Sequence, residues 1–141
     1  MKDSVQIVIT DTSAIYALVD KDDFHHQEAV NFVKQFGARL VLCVPEPTLF
    51  ETLTLINARL GHSIAIRVLT AIHTSDRYRL ISLTDEDKSR TWDTFAQYAD
   101  KKWSPFDCTC LAVARNRKIR HAFAFDVHFD QMAGAGLIRL P

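Results

Sequence analysis

The chain has 141 residues, 48% hydrophobic and 24% charged, the mix of one globular domain and not of a disordered or fibrous chain. Its 17 basic and 17 acidic residues cancel, which excludes a protein wrapped in positive potential and confines any nucleic-acid contact to a local patch. Three cysteines, Cys43, Cys108 and Cys110, make no disulfide framework and fit a reducing, cytoplasmic setting. No apolar run approaches ~18 residues, so no membrane span is expected, and the run after Met1-Lys2-Asp3-Ser4 ends at Asp11, too early for a signal-peptide core.

Residues 5–10 (VQIVIT) are short, β-branched and apolar, a buried strand ending at Asp11. A short helix over 14–19 follows, then a helix over 24–36 with apolar positions at helical spacing and Gly37 as its stop. Residues 40–44 (LVLCV) form a second buried strand, after which Pro45 and Pro47 break the chain. Helices are expected over 48–60, closed by Gly61, and over 63–73. A third strand covers 80–83, and 85–98 is a helix whose acidic first turn suits the positive end of the helix dipole. Ser104-Pro105 opens a helix running to about residue 118. A fourth strand covers 122–125 (AFAF) and a fifth 137–140. Strands apolar on both faces, alternating with helices, predict an α/β fold: a parallel sheet of four to five strands covered on both sides. Only four glycines are present, with no linker-like window and no repeat, so residues 1–141 read as a single domain.

Ligands of such sheets sit beyond the carboxyl ends of the strands. Asp11 and Asp126 follow the first and fourth apolar runs, and Glu51 and Asp107 lie in the expected first turns of two helices. Each acid has a purely structural reading: Thr48-x-x-Glu51 and Ser104-x-x-Asp107 fit capping boxes, and Asp11 and Asp126 suit N-caps. Convergence of all four on one rim selects a chemistry. Two carboxylates ~4 Å apart repel by ~4 kcal/mol at an effective dielectric of about 20, so the group requires shared protons or a cation. Carboxylates without a His/Cys cluster point to Mg²⁺ or Mn²⁺ over Zn²⁺.

Asp11-Thr12-Ser13, the helix carrying Glu51-Thr52-Leu53-Thr54-Leu55, Ser104-Pro105-Phe106-Asp107-Cys108 and Phe125-Asp126-Val127-His128-Phe129-Asp130, taken in order, resemble the PIN-domain nucleases. The resemblance is closest to the VapC-like ribonuclease toxins of prokaryotic toxin–antitoxin pairs. Asp22 to Ala29 and Ala135-Gly136-Leu137 extend it over essentially the whole chain. It implies a three-layer α/β/α sandwich and a Mg²⁺- or Mn²⁺-dependent endoribonuclease that cleaves single-stranded or loop RNA by activated water. It further implies a cognate antitoxin and a homodimer, for which the helices over 48–73 offer an amphipathic surface. Carried over residue by residue, Asp11, Glu51, Asp107 and Asp126 are the catalytic acids. Asp11, Asp107 and Asp126 hold the metal, and Ser13 and Asp130 support it.

Arg115, Arg117, Lys118 and Arg120 with His121 form the densest basic cluster, either a solvated helix end or a patch tracking the RNA backbone. Trp103 beside Lys101 and Lys102 is packing or a base-stacking platform. His25 and His26, adjacent and ~100° apart on a helix, make a poor ligand pair, and His128 reads as packing or a hydrogen bond behind the metal. Cys108-x-Cys110 lacks the second pair a zinc site needs. An aspartyl phosphotransferase would want a second acid where Ser13 stands, a receiver domain an acidic pair near the first strand, and a nucleotide-binding fold a glycine-rich loop. Within the PIN resemblance, an RNA-processing nuclease without an antitoxin and a catalytically silent binding module remain alternatives.

Overall fold

The computed structural model describes residues 4–141, and the lead-in Met1-Lys2-Asp3 lies outside them. Five strands, β1 (Gln6–Thr10), β2 (Leu40–Pro45), β3 (Tyr78–Ile81), β4 (His121–Phe123) and β5 (Ile138–Leu140), form one parallel sheet. Their order across the sheet is β3-β2-β1-β4-β5. The helices are α1 (Thr12–Val19), α2 (His26–Phe36), α3 (Glu46–Leu60), α4 (His62–Thr74), α5 (Asp85–Gln97), α6 (Pro105–Asn116) and the single turn α7 (Val127–Asp130). None of them is long and apolar enough to cross a membrane.

Alternation along the strands sorts side chains between two covering layers. Val8, Leu40, Leu42 and Phe123 pack with Ala14, Ala17, Ala29 and Phe32 of α1 and α2. Ile9, Cys43 and Ala122 pack on the other face with Cys110, Leu111, Val113 and Ala114 of α6. A third cluster joins Ile15 and Val44 to Ile56 of α3 and Val68 and Ile72 of α4. The result is the three-layer α/β/α sandwich. All three cysteines are free and buried within it.

Several boundaries differ from the sequence reading, and three differences bear on function. First, β4 ends at Phe123, because the Phe125 N–H donates to Ser13 Oγ (2.9 Å) instead of a neighbouring strand. Asp126 therefore lies in the loop beyond the strand. Second, α3 begins at Glu46, with Pro47 in a first turn that needs no donor. Thr48 and Glu51 lie inside the helix, so the capping box expected of them does not form. Third, α6 ends at Asn116, and the chain leaves it through a left-handed Lys118 (φ 57°).

Two aromatic and basic residues also take structural roles. Trp103 is buried, packs on Tyr98 (ring centroids 4.6 Å apart) and donates its Nε1–H to Gln131 Oε1 at 2.9 Å. It offers no face to a base. Arg117 closes on Asp87 of α5, only 1% exposed, with N–H···O distances of 2.8 and 2.9 Å, and Asn116 adds a third bond at 2.8 Å. The Arg117 guanidinium holds the Asp87 carboxyl well below the usual carboxylate range.

Candidate active site

A parallel sheet gathers the carboxyl ends of its strands on one rim. Asp11 leaves β1 there, α3 departs from β2 there, and α6 begins there before running back toward the start of β4. A cleft of about 500 Å³ opens at this rim, and all four acids singled out in the sequence, Asp11, Glu51, Asp107 and Asp126, line it.

Asp11 is the N-cap of α1. Its Oδ2 accepts from the Ser13 N–H (3.1 Å) and the Ser13 hydroxyl (2.6 Å). Ser13 Oγ in turn accepts the Phe125 N–H, so one hydroxyl ties Asp11 to the chain beyond β4. Burial pushes the Asp11 carboxyl up to about 6; the Ser13 bonds oppose the shift, and the charges of Asp107 and Glu51 add to it. Glu51 is also raised, mainly by burial, with Asp107 and Asp126 contributing and the Thr12 hydroxyl opposing.

Asp107 sits at the third position of α6, where the expected capping box does form. Its Oδ2 accepts the Ser104 N–H (2.9 Å), and its own N–H donates to Ser104 Oγ (3.1 Å). Asp126 caps α7 by accepting the His128 N–H at 2.8 Å. The His128 ring then bridges the two acids, Nδ1 lying 2.9 Å from Asp107 Oδ2 and 3.5 Å from Asp126 Oδ1. Capping and cleft lining thus fall on the same three aspartates.

Asp107, Asp126 and His128 each offer one donor atom, and the three atoms lie within 4.8 Å of one another. This set differs from the expected trio in having His128 where Asp11 was placed; Asp11 lines the same cleft but is drawn onto Ser13. Asp130 stands apart, its Oδ1 accepting from Arg139 Nε at 2.5 Å, and it does not line the cleft. Arg115, Lys118 and Arg120 are exposed at the opposite rim, since α6 carries the chain ~13 Å from Asp107 to Asn116. Arg117 is spent on Asp87.

Other lining residues carry no strong sequence signal. Asp23 and His25 come from the turn between α1 and α2, where Asp23 Oδ2 accepts the His25 N–H (3.0 Å). The His25 ring stacks on Phe125 (4.5 Å, 12°), while His26 bonds the Ala17 carbonyl at 2.7 Å. The adjacent histidines serve different surroundings, and not through helical spacing: α2 begins at His26 and leaves His25 ahead of it as the N-cap. Leu55 and Arg59 follow Glu51 at four-residue steps, and this spacing is readable in the sequence once α3 is placed.

Comparison with known proteins places this geometry in context. The model of the PIN domain family matches residues 8–135. The 23S rRNA-specific endonuclease VapC20 of Mycobacterium tuberculosis, strain H37Rv, is 31% identical over 126 residues, covering 88% of this chain and 92% of its own. The crystal structure of M. tuberculosis VapC20, described as a sarcin-ricin loop cleaving toxin, matches with a TM-score of 0.81 at 28% identity, over 93% of this chain and 96% of that one. FitAcB from Neisseria gonorrhoeae shares the fold (TM-score 0.70, 11% identity, 95% and 96% of the two chains). So does DNA-bound VapBC from Salmonella typhimurium (0.67, 16%, 96% and 97%).

Proposed function

Because this chain belongs to the PIN-domain family and is a VapC-like member of it, we propose that it is a divalent-cation-dependent endoribonuclease acting on single-stranded or loop RNA as the toxin of a toxin–antitoxin pair. The observation that carries this reading is the convergence of Asp11, Glu51, Asp107 and Asp126 on one cleft. Carboxylates crowded in a half-buried site are at odds with their own charge, and a cation is the natural counterpart.

The donor set fits Mg²⁺ or Mn²⁺: hard carboxylate oxygens from Asp107 and Asp126 with one imidazole nitrogen from His128. A divalent cation bound there supplies positive charge to a phosphodiester and makes water a stronger nucleophile at neutral pH. The protein's own contribution is positional. Ser104 and the first turn of α6 fix Asp107, the turn into α7 fixes Asp126, and His128 spans the two. Ser13 occupies Asp11 Oδ2 with two bonds, leaving Oδ1 for a proton or a ligand. Arg115, Lys118 and Arg120, at the far rim, contribute long-range attraction for RNA and no contact in the cleft. The names of the VapC20 relatives support the toxin role and the RNA substrate. A cognate antitoxin, a homodimer and a cytoplasmic setting belong to the same proposal; membership of a VapC-like family supports the first.

The test is to titrate Mn²⁺ and Mg²⁺ into the purified chain with structured and unstructured RNAs. Cleavage that requires the cation and disappears in Asp107→Asn is expected. Unchanged cleavage in EDTA or in Asp11→Asn defeats the proposal. Co-expression with a small protein encoded beside the chain's gene, which should suppress cleavage, separates a toxin from a free RNA-processing nuclease.

A further inference from the structure

The cleft is lopsided in charge. Among the described residues it is lined by five carboxylates and a single arginine or lysine, Arg59. A polyanion entering it meets repulsion everywhere except at a bound cation and at this guanidinium. Arg59 stands on α3 eight residues after Glu51, with Leu55 between them on the same face, so one helix presents a carboxylate and a guanidinium along one wall. The separation is two turns and a little more, ~12 Å along the axis.

Arg59 is also held ready. Its guanidinium carbon lies 5.4 Å from the centre of the Tyr16 ring. Tyr16 is itself buried and anchored, its hydroxyl donating to Asp20 Oδ2 at 2.7 Å. Asp20 is further engaged by the Asp22 N–H at 2.9 Å. Arg59 is exposed and, among the described residues, forms no ion pair. Arg59 bonds the Tyr16 hydroxyl and feels the Asp20 charge. No carboxylate among the described residues pairs with it, however, and a guanidinium carries five N–H donors. An arginine held against an aromatic ring in this way keeps donors for a phosphate.

We propose that Arg59 binds a backbone phosphate of the RNA neighbouring the one that is cleaved, and so sets where the strand lies along α3. This rests on the ribonuclease reading above and adds to it a strand path. The spacing along α3 favours a different phosphate from the one at the acids: Arg59 lies two helical turns beyond Glu51 on the wall of the same cleft and is placed for a contact further along the strand. Its contribution is independent of base identity, because a phosphate carries no sequence.

The experiment uses the full chain with Asp107→Asn to suppress cleavage, and a short fluorescein-labelled single-stranded RNA read by anisotropy across a range of salt. Arg59→Met is expected to weaken binding about ten- to a hundredfold at low salt. It should also reduce the slope of log K against log salt by about 0.7, the value of one phosphate contact on a single strand. The loss should be equal for RNAs of different sequence. Arg59→Lys should keep the slope, and in the cleaving chain the loss from Arg59→Met should fall on KM. Equal melting temperatures show that each variant is folded. An unchanged slope in Arg59→Met beside a parent that binds RNA overturns the assignment of Arg59 alone. A parent with no salt-dependent RNA binding overturns the ribonuclease reading beneath it.

Discussion

His128 and Asp107 stand 21 residues apart in the chain, yet His128 Nδ1 lies 2.9 Å from Asp107 Oδ2. The imidazole therefore orients the carboxylate that opens α6 as well as adding a donor of its own. Replacing His128 by Ala should weaken Mn²⁺ binding by about ten- to a hundredfold, with a matching fall in cleavage at limiting metal. Calorimetric titration of the folded variant checks this, and saturating metal should restore part of the activity.

Asp11 is expected to make the metal-free protein less stable as pH rises. Its carboxyl titrates near 6 in the folded chain, above its ordinary value of 3.8, so between those values the unfolded state loses its proton first. Unfolding free energy should fall across that window and level off above it, by about 3 kcal/mol for a shift of this size. Asp11→Asn, which can still accept the Ser13 bonds, should flatten the dependence and raise the melting temperature at pH 8. Divalent cation should narrow the gap by stabilising only the wild type.

Asp87 and Arg117 predict the opposite pH behaviour. A carboxyl held below its usual range contributes stability that is present above the unfolded pKa and disappears as pH falls through the lower folded value. Asp87→Ala leaves Arg117 and Asn116 without their shared acceptor and should cost about 3–5 kcal/mol near neutral pH. Urea unfolding at pH 7 and at pH 3 checks both parts, with the difference between variant and wild type shrinking in acid.

Ser13 joins two segments through one hydroxyl. In Ser13→Ala the Phe125 N–H loses its acceptor and Asp11 loses its 2.6 Å bond. The unpaired donor should cost about 1–3 kcal/mol, and the Asp11 carboxyl should titrate higher still, moving the acid limb of the cleavage profile toward higher pH. Ser13→Thr, which keeps the hydroxyl, should restore most of both. Thermal unfolding and pH–rate measurements read the two effects separately.

The strand and helix sequence is legible because period and composition are local properties, and the four acids are legible because each stands beside an apolar run. What is not legible depends on distant partners. Trp103 beside two lysines looks like a stacking platform, but Tyr98 and Gln131 bury it. Arg117 looks like one cation of a surface run until Asp87, 30 residues earlier, takes it. The Thr48–Glu51 pattern fits a cap, yet Pro47 suits the first turn so well that the helix starts ahead of it. The sequence reads His128 as packing or a hydrogen bond behind the metal, and the structure shows its ring bridging two acids. Arg59 was within reach of spacing alone: positions 51, 55 and 59 share one helical face.

Asp11 and Asp126 each cap a helix with the same carboxylate that faces the cleft, and Asp107 closes a capping box from the third position of α6, where Ser104 is the cap. Asparagine satisfies an N-cap nearly as well as aspartate, so at Asp11 and Asp126 exchanging one oxygen for an amide nitrogen should remove the charge from the cleft while the helix still begins in the same place. Under the proposed function, copies without activity would be a single conservative replacement away, with their outer surface unchanged.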